Sequence, residues 1–261
     1  MIGRRLEVDV TAVVARLRAA GCVFAEDEAR LLVAAAATPA ELEALVGRRA
    51  GGEPLEYVLG HAEFCGLRIA VAPGVFVPRR RTEFLAEQAA ALAGPGDVVV
   101  DLCCGTGAVG AVLATTGAEV HAVDIDPAAV RVARVNLPAG HVHEGDLDTP
   151  LPADLLGRVA VVVANAPYVP TGAIGLMPPE ARLYEAHAAL DGGADGTAIQ
   201  QRVAAAAPRW LAPGGHLLIE TSGRQAPLTT AAMRRNGLAT RTLVDDEREA
   251  TVVIGRLAGG S

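Results

Sequence analysis

The sequence predicts an open α/β fold: a doubly wound, mostly parallel seven-stranded sheet with an antiparallel hairpin at one edge, preceded by a small helical domain. Three observations predict it. From Asp97 onward, short apolar runs alternate with stretches of helical periodicity, the pattern of a parallel sheet covered by helices on both faces. The first run ends in a glycine-rich turn, Asp101-Leu102-Cys103-Cys104-Gly105-Thr106-Gly107, that leads into a helix. The last two runs are separated only by the short acidic stretch 244–249, too short for a crossover helix, so they pair antiparallel.

Residues 8–20 place Val10, Val13, Val14 and Leu17 on one helical face, and Gly21 stops that helix. Residues 26–37 form a second. Thr38-Pro39 reads as N-cap and first-turn proline of a third, 40–49. Gly51-Gly52 breaks the chain, and Pro54 opens a short helix to Leu59. This segment is a helical bundle with no evident chemistry. Residues 64–71 alternate and contain Gly66, which predicts a hairpin. Pro73-Gly74 and Pro78 punctuate the chain before a helix over 81–93. The expected division is a helical domain over 1–62, a hairpin linker over 63–80 and a main domain over 81–261. In the main domain the predicted strands are 98–102, 119–124, 140–144, 159–164, 216–220, 238–243 and 251–256. The helices are 108–116, 127–136, 196–211 and 225–235.

Composition narrows the function. The chain has 261 residues, 51% of them hydrophobic, enough for a full core. All 23 basic residues are Arg, with no Lys, which reads as GC-rich codon usage. The formal net charge of −7 and pI near 5.4 lack the basic footprint of a protein that wraps nucleic acid. Arg79-Arg80-Arg81 makes only a local patch. No secretory pattern opens the chain, and the Ala-rich run 31–37 is too short to span a bilayer. Cytoplasmic residence is expected, with no membrane partner and no direct nucleic-acid binding. Cys22, Cys65, Cys103 and Cys104 contain no C-x-x-C pair, so neither a zinc ribbon nor a disulfide framework is indicated. His141 and His143 share one face of a strand. With no further ligand near them in sequence they read as exposed strand residues, and no metal is expected.

The chemistry gathers at strand ends. Glycines let the 101–107 turn bend sharply and let a ligand approach the backbone. The form D-x-x-x-G-x-G departs from the G-x-G-x-x-G of dinucleotide binders. Asp124 ends the next strand, where a carboxylate can accept hydrogen bonds from ribose hydroxyls. Asp146, in Gly145-Asp146-Leu147, follows the third strand and can accept from an adenine amino group. Asp101 either holds the loop or meets a cofactor ammonium group. Open α/β sheets bind ligands outside the carboxyl ends of their strands, and three such signals on successive strands point to S-adenosylmethionine. The competitor is a nucleotide-dependent dehydrogenase, but no second dinucleotide half is visible. A fourth strand, 159–164, ends in Asn165-Ala166-Pro167-Tyr168. A primary amide, a backbone carbonyl and an aromatic ring at one sheet edge suit a planar NH2 group.

These motifs together resemble the protein-(glutamine N5) methyltransferases, the release-factor methyltransferase family. The resemblance runs through Pro54-Leu55-Glu56-Tyr57-Val58-Leu59-Gly60, Phe64, Val77-Pro78-Arg79 with Thr82-Glu83, Asp101 to Gly107, Asp124 and Asn165 to Tyr168. It continues in Glu185, Ala189-Leu190-x-Gly192-Gly193-x-Asp195-Gly196, Leu211-x-Pro213-Gly214-Gly215 and Glu220. It implies a class I S-adenosylmethionine-dependent methyltransferase fold, S-adenosylhomocysteine as product, and a glutamine-bearing protein substrate such as a peptide chain release factor, with the helical domain recognising it. It implies cofactor contacts from Thr82, Asp101, Cys103, Gly105, Gly107, Asp124, Ile125, Asp146, Leu147 and Asn165. It places Asn165, Ala166, Pro167, Tyr168 and Glu185 at the substrate, with Asn165, Ala166 and Tyr168 catalytic. Arg79, Thr82 and Glu83 match a segment that borders the cofactor. A proline is missing in three places. N-P-P-Y is N-A-P-Y here, Glu-Pro is Glu185-Ala186, and P-R-P-x-T-E is Pro78-Arg79-Arg80-Arg81-Thr82-Glu83. The chain therefore reads as a divergent subgroup. The alternatives are a methyltransferase for a small-molecule amide, amine or guanidine, and a nucleic-acid amino methyltransferase, which the acidic charge disfavours.

Overall fold

The computed structural model describes residues 9–259. Residue 8, the expected start of the first helix, lies outside them. Helix α1 (Val10–Ala19) is capped by the Asp9 carboxylate, which accepts from the amides of Thr11 and Ala12. Helix α2 (Ala25–Ala35) and helix α3 (Pro39–Ala50) follow, the latter with Thr38 as N-cap. Helix α4 (Leu55–Leu59) ends at Gly60, whose φ of 76° reverses the chain. Leu17, Ala25, Leu32, Leu42 and Val46 form the core of this bundle. Strands β1 (His61–Phe64) and β2 (Leu67–Ala70) make the hairpin, and its Cys65-Gly66 turn has positive φ at both positions. Phe64 and Ile69 are buried in the same apolar cluster as Leu85, Val99 and Leu113. The hairpin thus packs into the core of the main domain.

After helix α5 (Arg80–Ala90) come β3 (Val98–Leu102), α6 (Ala108–Ala114), β4 (Glu119–Asp124), α7 (Pro127–Asn136), β5 (His141–Glu144) and β6 (Val159–Ala164). Helix α8 (Pro179–Tyr184) was not expected from the sequence, nor were the 3-10 turns around it. The chain closes with α9 (Ala198–Trp210), β7 (Leu211–Thr221), α10 (Ala226–Arg235), β8 (Ala239–Asp245) and β9 (Ala250–Arg256). The seven main strands lie in the order β5-β4-β3-β6-β7-β9-β8, with β9 antiparallel to both its neighbours and the rest parallel. Strand β7 starts five residues before the expected 216. Leu211 pairs with Val159, the register then shifts, and His216 pairs with Val161, so Ala212 to Gly215 bulge out between them.

The central strands are buried on both faces, which is why β3 and β6 read as continuous valine runs, while the edge strands β5 and β8 are partly exposed. Helices α9 and α10 cover one face through Val203, Ala207 and Met233. Helices α5, α6 and α7 cover the other through Leu85, Leu113 and Ala133. Strand order reverses between β3 and β6, and their carboxyl ends open the crevice that ligands use in such sheets. The expectation that His141 and His143 stand without further ligands is corrected here. Parallel pairing puts His121 of β4 opposite His141 of β5, and Glu119 lies two residues before His121 on the same face. No helix among the described residues is long and apolar enough to cross a membrane.

Candidate active site

A cleft of about 690 Å³ opens at the carboxyl ends of β3, β4 and β6, within the range of sites that take a small molecule. The glycine turn forms one wall. Cys103, Gly105 and Gly107 have φ of 58°, 53° and 76°. A Cβ on Gly105 would meet nothing within 4 Å, so the backbone there is bare toward ligand. Gly107 serves packing instead, because a Cβ would lie 3.1 Å from both Ala133 of α7 and Leu137 just past its end. Asp101 is buried, and its carboxylate accepts from the amide of Gly110 at 2.9 Å. That bond fits the loop-holding role expected for it, and Asp101 also lines the cleft, where its other oxygen stays open to a cofactor ammonium group. Burial pushes its carboxyl up to about 7, against the Gly110 hydrogen bond.

Asp124 accepts from the Gly105 amide at 2.7 Å with one oxygen and from the Asp126 amide at 2.9 Å with the other. It is locked to the turn, and each oxygen keeps a lone pair for a ligand hydroxyl. Burial raises its pKa, opposed by these backbone donors. Ile125 is 61% exposed although hydrophobic, and it lines the cleft, as does Leu147. An exposed isoleucine beside carboxylates suits the face of a planar base. Asp146 lines the cleft as well, with one oxygen paired to Arg202 at 2.7 Å. Arg202 is a cleft residue that sequence reasoning missed. A bare glycine backbone, carboxylates at two strand ends and an exposed apolar shelf fit a nucleoside with a cationic tail. Asp124→Ala is expected to weaken S-adenosylmethionine binding by about 10²-fold, the loss of two charge-assisted hydrogen bonds. Isothermal titration checks it.

The opposite wall is Asn165-Ala166-Pro167-Tyr168. The Asn165 side-chain nitrogen donates to the Thr82 hydroxyl at 3.2 Å. Thr82 is buried and also lies beside the Glu220 carboxylate. The Thr82 hydroxyl lone pair accepts the Asn165 N–H, while the Glu220 Oε2 is buried without a hydrogen-bond partner among the described residues. The bond to Thr82 leaves the Asn165 Oδ1 as the free end of the amide, and no described residue donates to it. Neither the amide nor the carbonyl of Ala166 bonds to another described residue. The Tyr168 hydroxyl donates to Glu220 at 3.3 Å, and the Arg81 guanidinium lies 5.7 Å from the ring centre. Burial, then the Glu220 charge, push the Tyr168 hydroxyl up to about 12, so it keeps its proton.

A second loop clamps this segment from behind. Val169 donates to Leu190, and Gly192 donates back to Val169. Gln225 donates to the carbonyls of both Tyr168 and Asp195 at 2.9 Å. A Cβ on Gly192 would stand 2.7 Å from the Pro167 oxygen, and one on Gly196 2.3 Å from the Tyr168 oxygen. These two glycines exist because backbone meets backbone there.

The structure brings together at one cleft Thr82, Asp101, Cys103, Gly105, Asp124, Ile125, Asp146, Leu147, Asn165, Ala166, Pro167 and Tyr168. Gly107 sits one turn behind. Glu185 does not line the cleft. It is buried, accepts from the Val77 amide at 3.2 Å and pairs with Arg79, the anchoring one of its two expected roles. Glu83 points away and accepts from the Cys65 amide at 3.0 Å in the hairpin turn. Arg81, Glu220 and Gln225 support the site through contacts more than fifty residues apart in sequence, and only Glu220 carried a signal there.

The chain is similar to known methyltransferases in sequence and in fold. The family described as "Methyltransferase small domain" matches residues 66–194. A release factor glutamine methyltransferase of Geobacter sulfurreducens is 37% identical over 230 residues, covering 85% of this chain and 80% of the relative. A 4-amino-L-phenylalanine/4-methylamino-L-phenylalanine methyltransferase of Streptomyces pristinaespiralis is 37% identical over 203 residues, covering 74% of this chain and 69% of the relative. Among solved structures, a methyltransferase of Pyrococcus furiosus superposes with a TM-score of 0.55 at 16% identity, over 74% of this chain and 90% of that one. The fold is that of a class I methyltransferase.

Proposed function

This chain belongs to the release factor glutamine methyltransferase family, and on that premise we propose that its cleft grips the side-chain amide of a glutamine in a peptide chain release factor. The enzyme is an S-adenosylmethionine-dependent protein-glutamine N-methyltransferase. S-adenosylmethionine supplies an electrophilic methyl group. Gly105, Asp124, Ile125, Asp146 and Leu147 would hold it, with Cys103 and Thr82 at its border.

The observation that carries the reading is the orientation of Asn165. Its nitrogen is committed to Thr82, so it offers the acceptor Oδ1. The free Ala166 carbonyl is the second acceptor. An amide nitrogen is a weak nucleophile because its lone pair is delocalised into its carbonyl. Two fixed acceptors on its N–H bonds orient that lone pair and stabilise the positive charge that develops on nitrogen. Tyr168, held by Glu220, packs beside the amide. No strong base is needed, since the methylated nitrogen loses its proton to solvent afterwards.

Because the acceptor at 166 is backbone, Ala166→Pro is expected to keep kcat/KM within about threefold. It also adds up to about 1 kcal/mol of stability by restricting the unfolded chain. Activity and thermal melting check both. The relative that acts on 4-amino-L-phenylalanine favours a second reading, a small aromatic amine as acceptor. Labelled S-adenosylmethionine, incubated with the protein and a lysate of its source organism and followed by mass spectrometry, separates the two. Label on a glutamine side chain supports the first reading. Label confined to small metabolites supports the second.

A further inference from the structure

On the outer part of the sheet, away from the cleft, one face of β4 and β5 gathers four side chains with no part in methyl transfer. Glu119 and His121 come from β4, His141 and His143 from β5, and the pairing of His121 with His141 sets them side by side. One ligand atom from each of Glu119, His121 and His141 falls within 4.8 Å of the others. The Glu119 Oε1 is 3.1 Å from the His121 Nε2 and 3.9 Å from the His141 Nε2. For a tetrahedral zinc ion with bonds of about 2.0–2.1 Å, neighbouring ligand atoms stand roughly 3.3 Å apart. These two edges bracket that value.

The fourth residue supplies what a ligating imidazole needs on its other side. The His121 Nδ1 is 3.0 Å from the His143 Nε2. Without an ion the His121 Nε2 donates to Glu119 and its Nδ1 accepts from His143; a cation takes the place of the Nε2 proton, and His121 then donates to His143 through Nδ1, the tautomer of a metal-bound imidazole. His121 is 4% exposed and held from both sides, while the His141 side chain is 56% exposed. The His121 and His141 rings are stacked with centres 4.6 Å apart. Closing on an ion therefore turns the exposed partner, His141, and leaves the buried one in place.

We propose that Glu119, His121 and His141, with His143 orienting His121, form a binding site for a zinc-class divalent cation that ties β5 to β4. Two imidazoles and one carboxylate are a borderline donor set that suits zinc and leaves a fourth position for water. Strand β5 is a four-residue edge strand, and it leads directly into Gly145-Asp146-Leu147 at the cleft. An ion here pins the strand that carries that loop.

The test uses the untagged full chain, stripped with chelator and titrated with zinc chloride while bound zinc is measured. Wild type is expected to hold about one zinc per chain. Its thermal midpoint is expected to rise by roughly 5–10 °C at a zinc concentration about 100-fold above Kd. His141→Ala and Glu119→Gln change exposed residues, so both are expected to fold with the metal-free midpoint of wild type and to bind zinc at least ten-fold more weakly. Zinc uptake far below one per chain in wild type overturns the proposal. So does uptake that either variant retains within ten-fold, which would place the zinc at the cysteines or elsewhere on the surface.

Discussion

Asn165→Ala is expected to lower methyl transfer by about 10²–10³-fold, the usual cost of removing one preorganised polar group that orients and stabilises the reacting atoms. S-adenosylmethionine affinity should stay within about threefold. The side chain stands at the end of β6, and its nitrogen reaches Thr82, not the glycine turn. The variant also separates this group from its scaffold. Thr82 stays buried beside Glu220, and Tyr168 keeps its hydrogen bond to Glu220. Single-turnover rates with saturating cofactor, beside calorimetric cofactor affinities, read the two effects independently. Loss of both together would mean that Asn165 shapes the cofactor site.

Gly196→Ala is expected to be nearly as damaging although Gly196 touches no ligand. Its φ is 76°, and an added Cβ would lie 2.3 Å from the Tyr168 carbonyl oxygen and 2.2 Å from the Gln225 amide. The Gln225 side chain can swing aside, but the Tyr168 backbone cannot move without carrying the active-site strand end with it. Conformational strain alone costs roughly 1–3 kcal/mol. A displacement near 1 Å at the acceptor pair costs about 10²-fold in rate. The expected signature is a lower kcat with a lowered melting temperature. A variant that melts lower yet turns over at the wild-type rate would show that the clamp serves stability only.

The main-domain sheet was legible because its central strands are buried on both sides. Valine runs at 98–102 and 159–164 admit few other readings, and each ends in the residues that face the cleft. Asp124 and Asn165 were found by the same logic, a polar side chain at the point where an apolar strand stops. What stayed hidden depends on pairing between distant segments. Glu220 closes β7 as Asn165 closes β6, but only the adjacency of those strands puts its carboxylate against Tyr168 and Thr82. Glu119 and His121 are some twenty residues from His141 and His143, so a cluster that needs the β4–β5 register was read as two separate histidines. Helix α8 and its flanking turns carry Pro, Gly and Ala without a helical period, and their order comes from outside. Arg49 of α3 reaches Glu180 at 2.7 Å while holding Glu28, and Tyr57 of α4 donates to Tyr184 at 3.3 Å. Through these contacts the N-terminal bundle touches the loop that follows Tyr168.

Whether the paired acceptors serve a glutamine amide of a protein is decided by one ratio. It is kcat/KM for the purified release factor of the source organism over kcat/KM for 4-amino-L-phenylalanine, with the product site located by tandem mass spectrometry. The expected ratio is about 10³ or more, with a single methyl group on a glutamine side-chain nitrogen. A ratio below one, or a methyl group on any other residue, would contradict it.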